Sequence, residues 1–312
     1  MKKHILFFVS IIITLSTLMI HTTLPAGAEK TDAIIILGDS ISTGYGLSGE
    51  LYERPSFANK IHAHIGNGSL LNIARDGATS SEILQIATNS SDTIKEMDIV
   101  IMSVGGNDLL QTTAKVISES LGTPDNNDLA SLLGTVMNMP ADQIKELFSS
   151  DYSNACYSEM LDGLSKNLDS ILSLIRTTAP NAKIVVLNQY NPFSGLNTSE
   201  AALAFDLISS QIINQINDLI INTVIKYNAD ICDTYGLFDG QGALYTRIMS
   251  MDIHPNEAGH AMIYDMLTLV LDLNSPDAPE TFDPIGLCVV GLLGSSICII
   301  LLHYGKRKIK SK

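Results

Sequence analysis

Short apolar runs alternate with longer amphipathic stretches through the middle of the chain. The runs at 33–37, 99–104 and 184–187 are continuous rather than alternating, the pattern of strands covered on both faces. Further strands are predicted at 70–73 and 229–232, and helices at 56–65, 80–88, 157–177, 200–227 and 256–271. Asp76 before Gly77, and Pro180 before Asn181, supply breaks between them. Strand, helix and strand in repeated succession predict an α/β fold, a five-stranded parallel sheet with helices on both faces. In such sheets ligands bind outside the carboxyl ends of the strands. The segment 111–155 is helical but poorly periodic and reads as an insertion, either a candidate lid over that edge or an ordinary surface excursion.

Two apolar stretches stand outside this alternation. Residues 1–28 open with Lys2 and Lys3, run apolar from Ile5 to Ile20 and close on Ala26-Gly27-Ala28, the layout of a secretory signal peptide cleaved after Ala28. Residues 285–304 carry no formal charge and are apolar all round; as a helix they would rise roughly 30 Å, enough to cross a bilayer. Lys306, Arg307, Lys308, Lys310 and Lys312 crowd the tail 305–312, which is expected on the cytoplasmic side. The domain 29–274 is thus expected on the extracellular face of the plasma membrane, held by a single-pass C-terminal helix. The linker 275–284 contains Pro279-Glu280-Thr281 and is similar to the cell-wall sorting signal of Gram-positive surface proteins. Ala278 and Phe282 stand where that pattern has Leu and Gly, so a plain membrane anchor is the leading reading over cell-wall attachment.

Charge sharpens this division. The chain has 33 acidic and 19 basic residues, a formal charge of −14. Seven of the basic residues lie in the two ends and none of the acids does, which leaves a net −21 between Glu29 and Asp283. Nucleic acid is excluded as a partner, because phosphate backbones are bound by clustered Lys and Arg. Cys288 and Cys298 fall in the apolar span, and Cys156 and Cys232 lie in the domain, where spacing does not decide whether they pair. No metal-site spacing is present among them.

The unusual residues collect at predicted strand ends. Ser40, directly after the first strand and before a helical turn, would present its hydroxyl in front of a helix N-terminus; the same place also suits an N-cap. Met251-Asp252-Ile253-His254-Pro255-Asn256 supplies an imidazole just before the last helix. His254 can take the Ser40 proton while a carboxylate fixes its tautomer. The N–H groups of Ser40 and Gly77 and the side-chain amide of Asn107 are three donors for a developing oxyanion, each from a different strand end. Singly, Gly77 reads as a turn and Asn107 as a cap; their joint occurrence points to a site.

Gly38-Asp39-Ser40-Ile41-Ser42-Thr43-Gly44-Tyr45-Gly46, Gly77, Gly105-Gly106-Asn107-Asp108 and Asp252-Ile253-His254-Pro255-Asn256 follow one another in that order within 33–271. Together they resemble the SGNH hydrolases, also called GDSL esterases and lipases. The resemblance implies a flavodoxin-like three-layer α/β/α fold, Ser40 as nucleophile, His254 as base, and Gly77 and Asn107 in an oxyanion hole. The family places its acid three residues before the histidine. That position here is Met251, and Asp252 lies two before. Asp252 is the candidate acid, with a Ser–His dyad aided by a backbone carbonyl as the alternative. Asp39 and Asp108 read as structural.

The expected function is an exported, surface-anchored serine ester hydrolase acting on a small-molecule, lipid or glycan ester, with no metal or organic cofactor. The alternative is a catalytically impaired surface module of the same fold that binds acylated glycans or lipids. A carboxylate within reach of His254 Nδ1 separates the two. Gly44-Tyr45-Gly46-Leu47-Ser48-Gly49 satisfies G-x-G-x-x-G but begins too far past the strand for a dinucleotide site. His62 and His64 lack the accompanying Cys or carboxylate of a metal site.

Overall fold

A computed structural model describes residues 32–123 and 128–273. The predicted signal peptide, linker, apolar span and basic tail lie outside the described residues. Among the described residues no helix is long and apolar enough to cross a membrane.

The chain begins with β1 (Ala33–Leu37) and the one-turn helix α1 (Ser40–Thr43), followed by α2 (Phe57–Ile65), β2 (Ser69–Asn72) and α3 (Ser80–Asn89). Next come β3 (Ile99–Ser103), α4 (Gly106–Ser120), α5 (Leu129–Val136), α6 (Ala141–Ser149) and α7 (Asp151–Thr178). The last part holds β4 (Lys183–Leu187), α8 (Glu200–Lys226), β5 (Asp230–Cys232), the short ribbon β6 (Thr246–Arg247) and β7 (Asp252–Pro255), and α9 (Glu257–Leu271). Helix starts are chemically marked. Ser56, Ser199 and Asn256 each accept a backbone N–H from the first turn, and Thr79 with Glu82 forms a full capping box.

The sheet has the order β2-β1-β3-β4-β5 with every pair parallel, that of doubly wound sheets of the flavodoxin type. Successive strand residues alternate between two cores. Ile35, Leu37, Val100, Met102, Ile184 and Val186 pack under α3, α4, α7 and α8, whereas Ile34, Ile36, Ile101, Val185 and Leu187 pack under α2 and α9. Covering both faces is why these strands read as continuous apolar runs. Cys156 and Cys232 are buried in opposite cores and form no disulfide.

Two features differ from the sequence expectation. The helices described within 111–155 pack into the domain instead of standing off as a surface excursion: α4 starts inside the Gly105-Gly106-Asn107-Asp108 motif, and α7 starts at Asp151, six residues before its predicted beginning. The intervening α5 and α6 bury Leu132, Leu133, Val136, Ile144 and Leu147 in the α7–α8 core, so this part of the chain is a wall of the domain. The β6–β7 ribbon is the second difference. Its strands are too short to carry a periodic signal, yet it delivers Asp252 and His254.

Candidate active site

The carboxyl end of β1 turns sharply through Gly38. Its φ of +125° suits glycine, and a Cβ there would lie 2.4 Å from Ser103 Oγ and 2.6 Å from the Ser103 carbonyl. The next residue caps α1: Asp39 Oδ1 accepts the Ile41 N–H at 3.0 Å and the Ser103 hydroxyl at 2.6 Å, while the Asp39 N–H donates to Ser103 Oγ at 3.1 Å. Burial pushes the Asp39 carboxyl above its ordinary value, against the pull of the Ser103 and Ile41 hydrogen bonds. With Asp39 as the cap, Ser40 becomes the first residue of the helix and its hydroxyl is not needed for capping.

Ser40 Oγ lies 2.9 Å from His254 Nε2, and His254 Nδ1 lies 2.6 Å from Asp252 Oδ1. The two-residue offset works because β7 is extended: Asp252 Oδ1 also accepts the His254 backbone N–H at 3.0 Å, folding the carboxylate back over its own strand. Burial raises the Asp252 carboxyl, but the hydrogen bonds from the His254 backbone and ring, with the charges of His254 and Arg247, outweigh it and hold Asp252 below its ordinary value. An ionised carboxylate only accepts, so Nδ1 carries the proton and Nε2 faces the Ser40 hydroxyl as acceptor. Met251, at the position where the resemblance puts an acid, adopts a left-handed conformation (φ +58°) that closes the preceding 3₁₀ turn.

Asn107 and Ser40 line one cavity. Asn107 donates one amide hydrogen to the Ala78 carbonyl at 3.0 Å, which ties it beside the Gly77 turn and leaves its second hydrogen without an acceptor among the described residues. Gly77 does not line the cavity and faces open space. Neither the Ser40 nor the Gly77 N–H has an acceptor among the described residues. Asp108 accepts from the Ser80 N–H at 2.8 Å and the Ser80 hydroxyl at 2.6 Å, bracing the start of α3. His64 is held on the far side of the fold by the Tyr264 hydroxyl and the Leu273 carbonyl.

From Ser40 the cavity runs between α4, α5, α6 and α8, with a volume of about 80 Å³ and an open mouth. Leu110, Leu133, Phe148, Phe193, Phe205 and Ile212 make its lining mostly apolar. Three supporting residues carry no motif signal. Tyr190, whose hydroxyl burial holds well above its ordinary value, donates to the Ile253 carbonyl at 2.9 Å and fixes β7 between Asp252 and His254. Tyr45 sets its ring 4.7 Å from the His254 ring. Arg247 Nη2 lies 2.7 Å from Asp252 Oδ2. Tyr190 and Tyr45 act across contacts distant in sequence, and Arg247 through a short ribbon without a periodic signal, none of which local patterns report.

A doubly wound sheet carrying a linked hydroxyl, imidazole and carboxylate beside an apolar cavity defines an α/β ester hydrolase. Residues 36–262 match the family model of the GDSL-like lipase/acylhydrolases; the chain belongs to that family and is an esterase/lipase-type hydrolase acting on ester bonds. The fold is similar to that of the lipase Lip_vut3 from a goat rumen metagenome (TM-score 0.54, 22% identity, covering 77% of this chain and 97% of that one). It is likewise similar to phospholipase A1 from Streptomyces albidoflavus NA297 (TM-score 0.55, 20% identity, 77% and 99% coverage) and to an extracellular lipase from Streptomyces rimosus (0.53, 19%, 77% and 99%). No curated protein sequence matches the chain.

Proposed function

We propose that this protein is an exported, membrane-tethered serine hydrolase that cleaves carboxylic esters of apolar acyl chains through an acyl-enzyme on Ser40. The observation that carries the reading is the Ser40–His254–Asp252 chain, at 2.9 and 2.6 Å, opening on the apolar cavity. Ser40 Oγ attacks the ester carbonyl as its proton passes to His254 Nε2; the imidazolium is steadied by Asp252. The Ser40 N–H and the second Asn107 amide hydrogen receive the oxyanion, and the Gly77 N–H, which has no acceptor among the described residues, is proposed as the third donor from the adjoining turn. His254 then protonates the departing alcohol. Water, deprotonated by the same nitrogen, attacks the acyl-serine and releases the acid and the Ser40 hydroxyl.

The carboxylate within reach of His254 Nδ1 supports turnover over an impaired binding module. The lining of the cavity favours a hydrocarbon acyl group over O-acetyl, since each buried methylene gains about 0.8 kcal/mol. Export and anchoring rest on the signal-like 1–28 and the apolar 285–304 with its basic tail. A fluorophosphonate probe tests the mechanism: it is expected to label the wild type and not Ser40→Ala, and an unlabelled, folded wild type overturns it.

A further inference from the structure

We infer that Arg247 is a positioning residue, the strap that holds the acid and the nucleophile's loop in one register. The inference rests on the reading of Ser40, His254 and Asp252 as the catalytic chain. Arg247 lies on β6 directly across from Asp252, at a bulge in the ribbon where the pairing register shifts after Thr246. Bulges re-aim side chains, and here the guanidinium leaves the ribbon and crosses to the loop that follows α1. Its Nη2 pairs with Asp252 Oδ2 at 2.7 Å and donates to the Tyr45 carbonyl at 3.1 Å; its Nη1 donates to the Gly46 carbonyl.

The consequence is a closed ring of contacts. Ser40 begins α1, α1 leads into Tyr45 and Gly46, Arg247 joins those carbonyls to Asp252, Asp252 holds His254, and His254 returns to Ser40. The Tyr45 ring, 4.7 Å from the imidazole, belongs to the residue whose carbonyl Arg247 grips. Binding Oδ2 leaves Oδ1 for His254 Nδ1, so the carboxylate cannot rotate away without breaking an ion pair. This matters for a carboxylate placed two residues before its histidine: its connection to the imidazole runs along one short extended strand, and a second anchor fixes its orientation. A planar fork that engages a carboxylate and two carbonyls is the work of arginine, not of a point charge.

Gly46 records the same contact from the other side. A Cβ there would lie 1.7 Å from Arg247 Nη2, and the backbone holds φ +77°. The glycine thus makes room for the guanidinium.

The test compares wild type, Arg247→Met, Arg247→Lys and Gly46→Ala with an octanoyl aryl ester, normalising kcat to the sites titrated by a fluorophosphonate. In Arg247→Met, kcat per titrated site is expected to fall at least 10-fold, with KM within about threefold. Arg247→Lys should recover part of the loss, because an ammonium reaches Asp252 but cannot span both carbonyls. Gly46→Ala should resemble Arg247→Met. A purely structural role would lower the fraction of titratable sites and leave kcat per site unchanged; that outcome, or a KM change with constant kcat, overturns the inference. If the wild type hydrolyses the ester without being labelled, the reading of Ser40 fails and the inference falls with it. If the wild type is labelled and Arg247→Met turns over as fast, the inference alone is lost.

Discussion

Asp252 shows how a carboxylate two residues before a histidine can still reach its ring. An acid that only braced the loop would sit anywhere along β7, but Asp252 Oδ1 is shared between the His254 ring and the His254 N–H, and Oδ2 is given to Arg247. The carboxylate therefore selects the imidazole tautomer. Asp252→Asn puts a donor where an acceptor is needed and turns the ring to the tautomer whose Nε2 carries hydrogen, so it cannot accept from Ser40. If Asp252 is the triad acid, the expected loss is about 10³–10⁴-fold in kcat. Steady-state kinetics on a short aryl ester decide it; retention of more than about a tenth of the turnover would return the mechanism to a Ser–His dyad. The serine's own environment argues in the same direction. Because Asp39 caps α1, the Ser40 hydroxyl is spared for the imidazole.

Elements divide by how their burial was encoded. The strands β1, β3 and β4 were legible because both faces are covered, so their central positions are all apolar, and Gly38 and Gly105 mark where β1 and β3 give way to loops. Ser40 and His254 were legible because the residues beside them serve backbone geometry that only a few residue types satisfy. The wall made by α4, α5 and α6 was not, since part of its apolar surface lines a cavity rather than a core and the helical period blurs. The β6–β7 ribbon was invisible for a different reason: two to four residues cannot show a period, and Arg247 finds Gly46 some 200 positions away. The wall has a testable consequence. Leu133 on α5 faces the cavity, and Leu133→Trp is expected to fill it, lowering kcat/KM for a decanoyl ester at least 10-fold while an acetyl ester changes less than threefold. Equal losses on both esters would place the acyl chain elsewhere.

At the scale of the whole molecule, acid tolerance is set by two opposing effects. The stretch from Glu29 to Asp283 carries a net −21 at neutral pH, and protonating carboxylates relieves that self-repulsion. Against this stands His260 on α9, fully buried beside Phe57, with its Nδ1 accepting the Phe57 N–H at 3.4 Å and its Nε2 without a partner among the described residues. Burial, helped by the charges of Arg247, His254 and Lys60, pushes the His260 pKa down to about 3. In the unfolded chain an imidazole titrates near 6.5. Between these values the unfolded state binds a proton that the folded state refuses, so stability rises with pH across the window and is lost as pH falls from about 6.5 toward 3. The slope approaches about 1.4 kcal/mol per pH unit, hence about 2 kcal/mol between pH 6.5 and 5. That is several degrees of Tm for a domain of this size. His260→Gln keeps an acceptor for the Phe57 N–H but has no proton to gain. It should start less stable at pH 7.5, having lost the ring stacked 5.9 Å from Phe57, and then fall more gently as the pH is lowered. Urea unfolding midpoints at half-unit steps from pH 7.5 to 4.5 measure both curves. Parallel curves would remove His260 as the source of acid sensitivity and leave it to the carboxylates held below their ordinary values, Asp252 among them.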